Sequence, residues 1–318
     1  MNKILVFILL LAGCSKSQDT APTNFTGTQM SVDYNILIGD SLTDKEVETV
    51  ALTINAVFEK IHTIFDKHNS VSELSKFNQA KANEKCILSK DLKEALLFCK
   101  QMYVHTHGRF DPTIEKIQKI WLKHLKNHEI PKEVSNASIG FDKVHIEGNT
   151  VSKDENGIEI DLDAILKGRG ADMLQEAFKN LGLKNYFINW GGEIYAQGEH
   201  PQKRPWTALI RPVSKKGKGI PIPVQNAAIA TSLDYFKNYK VGKITYLPVF
   251  NPRTGRPFQM KKHGIASASV VAPTCQIADA IATSIMLFEN EIQLDAFLEL
   301  MKTEYGEMSF WILKRTEL

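Results

Sequence analysis

Between Asp44 and His68, apolar residues recur at Val47, Val50, Ile54, Val57, Phe58, Ile61, Ile64 and Phe65, and a Thr43-x-x-Glu46 box precedes them. That is the period of one helix face with its start signal attached. A stripe this long must be buried against another layer, so the chain needs a sheet or further helices to cover it. The same period predicts helices over Asp91–His107, closed by Gly108, and over Ala164–Leu181, closed by Gly182. Two more are expected over Cys275–Phe288 and Glu291–Lys302. Short β-rich runs lie between them: Tyr186–Trp190, Trp206–Arg211, Ala227–Ala230, Ile244–Phe250, Ile265–Val271 and Phe310–Leu313. Helices and strands interleave without a βαβ cadence, which gives an α+β fold. No low-complexity linker interrupts the body, so one domain is expected.

The N-terminus reads as an address. Lys3 is followed by the apolar run Ile4–Ala12, too short to span a bilayer, which takes about 20 residues. It closes on Leu11-Ala12-Gly13-Cys14, which resembles the lipobox of bacterial lipoproteins. The expectation is a signal peptide over 1–13, lipid on Cys14, a polar tether over 14–28 and a folded domain over 29–318. The protein would then face the periplasm, anchored to the inner membrane. With 43% hydrophobic and 24% charged residues among 318, the body has neither a disordered nor a polytopic composition. Its 39 basic and 36 acidic residues leave a net charge of +3, without the basic stripe that nucleic acid requires. Four cysteines with no C-x-x-C spacing point away from zinc and thiol redox chemistry, and Cys99 falls on an apolar helix face.

The connections carry the functional signals. Gly191-Gly192 follows one strand and precedes a second that ends at Gly198, and it suits either a tight turn or close approach to a ligand. Asn251–Pro257 (NPRTGRP) is a rigid turn bearing two guanidiniums, which fits a solvated surface turn or an anion contact. Asp279 and Thr283 are four apart on one helix face: an oxygen pair for Mg²⁺, or an ordinary helix acid with a back-bonded threonine. Asp161 and Asp163 stand at a helix start, and Lys167 one turn later would meet a phosphate or water. There is no G-x-G-x-x-G before a helix, P-loop, G-x-S-x-G or H-E-x-x-H.

Taken in order, several segments resemble the ApbE family of FAD:protein FMN transferases. They are Ser72–Asn78 (SELSKFN), Gly108–Thr113 (GRFDPT), Asp161–Asp172 (DLDAILKGRGAD), Asn189–Glu193 (NWGGE), Ala230–Ser232, Asn251–Pro257 and Ala278–Thr283. The resemblance implies a single-domain α+β, T-fold-like architecture. It also implies an enzyme that splits FAD, joins FMN to a Ser or Thr hydroxyl of an acceptor protein and releases AMP. Acceptors in the family include subunits of sodium-translocating NADH:quinone reductase and of Rnf-type complexes. The alternatives are a Mg²⁺-dependent FAD pyrophosphatase giving FMN and AMP, and a non-catalytic FAD-binding lipoprotein.

By the same resemblance, Asp279, Thr283 and the Ala164 carbonyl match the family's Mg²⁺ ligands. Arg109, Phe110, Asp111, Asp161, Lys167, Gly191, Gly192 and Phe250 match positions around the flavin cofactor. The chain departs from the family's His-Ile-Ile-Asp-Pro, reading Pro248-Val249-Phe250-Asn251-Pro252, so neither the histidine nor the acid is present. Leu233 replaces a glycine after Thr231-Ser232, and Thr26-Gly27-Thr28 replaces a Met-Gly-Thr. His263, in the basic Lys261-Lys262-His263 loop, is the candidate substitute base.

Overall fold

The computed structural model describes residues 21–134, 137–210, 219–234 and 238–315. It begins with strands β1 (Thr23–Gln29) and β2 (Val32–Ile38) and helix α1 (Asp44–Phe65). Next come α2 (Glu73–Gln79), the short β3 (Cys86–Ile87), α3 (Lys90–His105) and α4 (Glu115–Lys126). A hairpin of β4 (Val144–Glu147) and β5 (Thr150–Lys153) leads into α5 (Asp163–Asn180). The hairpins β6 (Tyr186–Trp190)–β7 (Glu193–Gln197) and β8 (Trp206–Ile210)–β9 (Ile220–Val224) precede β10 (Ala227–Leu233). Three strands follow, β11 (Tyr239–Val241), β12 (Ile244–Asn251) and β13 (Arg256–Gln259). The chain closes with β14 (Ile265–Ala272), α6 (Cys275–Ile285), α7 (Glu291–Tyr305) and β15 (Ser309–Lys314).

The main sheet runs β1-β2-β6-β7-β10-β14-β15, every neighbouring pair antiparallel. This is the α+β arrangement that the irregular interleaving predicts. One face carries Ile36, Ile38, Ile188, Trp190, Ala230 and Val270 against the helices in a single core. The other carries Phe187, Ile194, Ala196 and Ile229, covered by Trp206, Ala208 and Ile210 of β8 and Val224 of β9. Burial on both faces explains why β6, apolar at every position but Asn189, reads as a near-continuous run rather than an alternation. A third cluster, Ile117, Trp121 and Leu125 with Tyr246 and Phe250, ties α4 to β12.

Most helix starts are where the sequence signals place them. Thr43 and Glu46 form the reciprocal box at α1, and Ser89, Thr274 and Asn290 cap α3, α6 and α7. Gly108 takes φ +73° just beyond α3, its N–H donating to the Tyr103 carbonyl at 2.8 Å. Cys99 is fully buried, as its place on the apolar face predicts. The tether boundary differs: Thr23–Gln29 is not part of a tether but the edge strand β1, paired in register from Thr23↔Ile38 to Gln29↔Val32. An edge strand half-open to solvent needs no apolar run, so polar composition hides it. Residues 1–20, with Cys14, and Arg211 at the end of the β8 run lie outside the described residues.

The functional end is set by how closely α5 and α6 meet. A Cβ on Gly168 would stand 2.4 Å from the Cys275 carbonyl oxygen and 2.8 Å from Gln276 Cα, so the two backbones are in contact there. One turn on, the Asp172 carboxylate accepts the N–H groups of Cys275 (2.7 Å) and Gln276 (2.9 Å), pinning the first turn of α6 to the middle of α5. The obstacle is backbone, which cannot rotate aside as a side chain can. Gly168→Ala should therefore cost about 3 kcal/mol, at the upper end of ordinary overpacking. Chemical denaturation would show it, and an unchanged midpoint would mean that α6 can shift.

Candidate functional site

Five pieces of chain converge beside that contact: the 109–112 loop, the start of α5, the β6–β7 turn, β12 and the middle of α6. Arg109, Phe110, Asp111, Asp161, Ala164, Phe250 and Thr283 line one cleft. Lys167, Gly191, Asp279 and Thr283 line a recess that continues it, the two sharing Asp163, Val249 and Thr283. Phe250 is buried, and its strand is held to α4 by the Trp121–Tyr246 cluster. Gly191 has φ +68°, and a Cβ there would meet Val32 Cγ1 at 2.6 Å. Gly192 is the turn residue proper, with φ +109°, its N–H donating to Asn189 Oδ1 at 3.0 Å. It is not among the residues lining either cavity.

Asp279 and Thr283 do share a face of α6, aimed into the recess. Asp279 is 2% exposed, and its Oδ2 accepts the Gly168 N–H at 3.0 Å. Gly168 is the residue whose N–H would pair with the Ala164 carbonyl in a regular helix, so Asp279 draws on that same donor. Thr283 Oγ1 is 2.9 Å from Ser232 Oγ, which fixes the hydroxyl across from β10. Lys167 Nζ stands 3.2 Å from Glu193 Oε1 and 3.9 Å from Asp279 Oδ2. Burial opposes its charge, but Asp279 and Glu193 outweigh burial and hold the Lys167 pKa above the usual lysine range. Burial pushes Glu193 up to about 8 and raises Asp279 as well, with Lys167 pulling both the other way. Glu193 Oε2 is buried with no hydrogen-bond partner.

A second lysine organises the near wall. Lys67, in the connection after α1, reaches Glu115 Oε2 (3.0 Å), Asp161 Oδ2 (2.9 Å) and Asp163 Oδ2 (2.8 Å) from a position only 10% exposed. It joins three elements at the point where α5 starts. Asp161 also accepts the Asp163 N–H through Oδ1 at 2.8 Å, in place of a side-chain N-cap. Burial, then the neighbouring Asp163, lifts the Asp161 pKa to about 7 against the pull of Lys67. The Asp111 carboxylate is taken up locally, accepting Thr113 N–H, Thr113 Oγ–H and Phe141 N–H. Arg109 lies 4.8 Å over the Phe288 ring and donates to Gln293 Oε1 at 2.5 Å.

The model of the ApbE family matches residues 26–305. The chain belongs to the ApbE family. It is 35% identical over 305 residues to the FAD:protein FMN transferase of Chlamydia pneumoniae, covering 94% of this chain and 95% of that protein. With the FAD:protein FMN transferase of Vibrio cholerae serotype O1 it shares 28% over 295 residues, 90% of this chain and 87% of that one. The solved structure of flavin transferase ApbE from Vibrio cholerae superposes with TM-score 0.78 at 25% identity, over 93% of this chain and 94% of that one. An ApbE protein from Thermotoga maritima shares the fold, at TM-score 0.77 and 21% identity. The family is one of enzymes, flavin transferases, and its α+β fold is the one seen here.

Within this ApbE-family chain, His263 is not among the residues of the cleft or the recess. It lines a neighbouring pocket with Asp234 and Arg315, and among the described residues that pocket shares Val249 and Met286 with the recess. The Asn251–Pro257 turn is a surface turn between β12 and β13, with Arg253 and Arg256 exposed. Sequence reasoning missed Lys67 and Glu115 altogether: Lys67 reads as one more polar residue at the end of the α1 stripe, and it stands 48 residues from Glu115 and 96 from Asp163. Glu193 was visible as the last residue of NWGGE, but nothing in the sequence says that it is buried beside Lys167.

Glu193 supplies a test of this electrostatics. Its folded pKa, about 8, lies above the ordinary glutamate value of 4.5, so the folded state holds the proton more tightly. The stability this contributes is complete below pH 4.5 and is lost as pH rises through about 8. Glu193→Gln carries no titrating proton. Its melting temperature should therefore rise relative to the parent's, by several degrees, between pH 5 and pH 8.5. Parallel pH–Tm curves for the two proteins would contradict the assignment.

Proposed function

We propose that this chain transfers FMN from FAD to a Ser or Thr hydroxyl of an acceptor protein, releasing AMP, with Mg²⁺ as cofactor. The observation that carries the reading is the meeting of Asp279, Thr283 and the start of α5 in a recess continuous with the Arg109–Phe250 cleft. The donor set fits a hard cation: a buried carboxylate, a hydroxyl and a helix-start carbonyl, beside the orphaned Glu193 Oε2. No cluster of three His, Cys, Asp or Glu side chains able to hold a metal occurs among the described residues. Asp279, Thr283 and the Ala164 carbonyl would thus hold the ion together with phosphate oxygens. Bound there, it neutralises pyrophosphate charge and stabilises the leaving phosphate.

The chain's own groups do the positioning. Lys167 presents a held ammonium to a phosphate oxygen, and the 109–112 loop and Phe250 form the walls for the flavin end. The acceptor hydroxyl oxygen forms a bond to the FMN phosphorus, the phosphorus–oxygen bond to AMP breaks, and the hydroxyl proton leaves to solvent. Such displacement depends on alignment and charge neutralisation more than on a strong base. One observation favours the alternative of a non-catalytic FAD-binding protein: Pro248, on the cleft wall, offers no side-chain proton acceptor for an attacking hydroxyl.

Full-length protein incubated with FAD, Mg²⁺ and the flavin-carrying subunit of a sodium-translocating NADH:quinone reductase decides between them. Transfer appears as covalent flavin on the acceptor by in-gel fluorescence and intact mass, with AMP formed in parallel and both lost on chelation. Asp279→Ala and Thr283→Val should each slow it by on the order of 100-fold. AMP without labelled acceptor would establish the hydrolase, and bound but intact FAD the non-catalytic carrier.

We also propose that Cys14 carries the lipid that holds the domain at the periplasmic face of the inner membrane. The support is the lipobox itself and its place upstream of β1, the first described strand. Cys14→Ser should move the protein from the membrane to the soluble fraction. Retention in the membrane would overturn the anchor.

A further inference from the structure

The His263 pocket has no part in the cleft chemistry, yet it opens against it. Val249 and Met286 form one wall of the recess that holds Asp279 and Thr283 and also one wall of this pocket. Its floor is apolar, with Leu247, Phe258, Ile265 and Leu294. Its rim is charged, and most of those charges are spent on each other. Lys261 pairs with Glu289, Lys314 with Glu291, and Arg315 with the buried Asp234. Lys262 and His263 have no carboxylate partner among the described residues. The rim therefore keeps a cationic excess on one side. Two sheet edges also border the pocket. β13, an edge of its three-stranded sheet, contributes Phe258 and Gln259, and β15, an edge of the main sheet, contributes Lys314. Strand edges offer unpaired N–H and C=O groups to an extended chain.

We infer that this pocket docks the acceptor protein, taking an extended segment with an apolar side chain in the floor and an acidic one at Lys262 and His263. The inference rests on the flavin-transfer reading and names the place where the second substrate binds. A macromolecular acceptor has to approach Thr283 from a side that the 109–112 loop and Phe250 do not occupy. Val249 and Met286 put this pocket on such a side. An edge strand fixes the register of an extended segment, and an apolar anchor with a charge beside it selects which hydroxyl is presented.

The test uses full-length protein with the same reductase subunit as probe and two substitutions on the exposed rim. Lys262→Glu reverses the free charge, and Gln259→Trp narrows the mouth. Each should raise KM for the acceptor at least about tenfold, the factor that 1.4 kcal/mol represents. KM for FAD and the dissociation constant for FAD, measured by flavin fluorescence, should stay at parental values. An acceptor KM unchanged in both variants, while the parent transfers normally, overturns the docking site alone. Failure of the parent to label any acceptor overturns the transferase reading and the docking site together. Loss of a parental dimer in Gln259→Trp with unchanged acceptor KM would make the pocket an interface between copies of this chain and also overturn the proposal.

Discussion

The backbone contact between α5 and α6 at Gly168 is what the rest of the functional end depends on. Because no side chain separates them, the Asp279 carboxylate can reach the Gly168 N–H, and the donor facing the Ala164 carbonyl is engaged from outside the helix. The same approach lets Asp172 collect two free N–H groups at the start of α6. Trp190 then packs across Gly170 on the other turn of α5, and Phe58 of α1 meets the Trp190 ring edge-on at 5.2 Å between centroids. Sheet, first helix and site are thereby held in one stack, so the geometry around Asp279 is fixed by packing rather than by the charges themselves.

Those charges work against stability. Asp161, Asp172, Glu193 and Asp279 are all buried enough that burial raises their pKa values, and the cations that answer them are Lys67, Arg169 and Lys167. Ion pairs of this kind repay little of their desolvation, and a fold selected for stability alone would do better with apolar residues. Their persistence at one end of the sheet, beside an otherwise apolar core, is the mark of a preorganised site. Lys67 and Lys167 are placed so that each ammonium meets acids from more than one element, which keeps the cleft walls in register before any ligand arrives.

How legible this was in the sequence follows from the range of each interaction. The α1 box, the helix period of α3 and α5 and the apolar run of β6 are local, and each is in the structure within a few residues of its signal. Among the elements not foreseen are strand β1 and helix α4. The first is polar because it is an edge; the second has no side-chain N-cap, and its apolar Ile117, Trp121 and Leu125 stand among lysines and histidines. At the site, Asp279 and Thr283 could be found because they share one helix, whereas Lys67 becomes intelligible only when three distant acids surround it. The lone His263 shows the converse: a residue type suited to proton transfer, in a suitable stretch of sequence, placed by the fold in the next pocket.

The departure at Pro248 and Asn251 has a physical reading in the same terms. Strand β12 keeps Phe250 buried against Trp121 and Tyr246, so the wall of the cleft survives while the side chains able to accept a proton from it do not. A proline on this strand also withdraws one N–H from the ladder, and the pairing of β12 with β13 shifts register between Tyr246 and Phe250. On the proposed reading, what the site retains is the part that would hold and neutralise phosphate: Asp279, Thr283, Lys167 and the start of α5. A cleft that keeps its electrostatics without such a base would discriminate among nucleophiles by how they are delivered rather than by how strongly they are activated. That would place the burden of specificity on the surfaces beside Val249 and Met286, where the proposed docking site would have to hold an acceptor long enough for alignment alone to suffice.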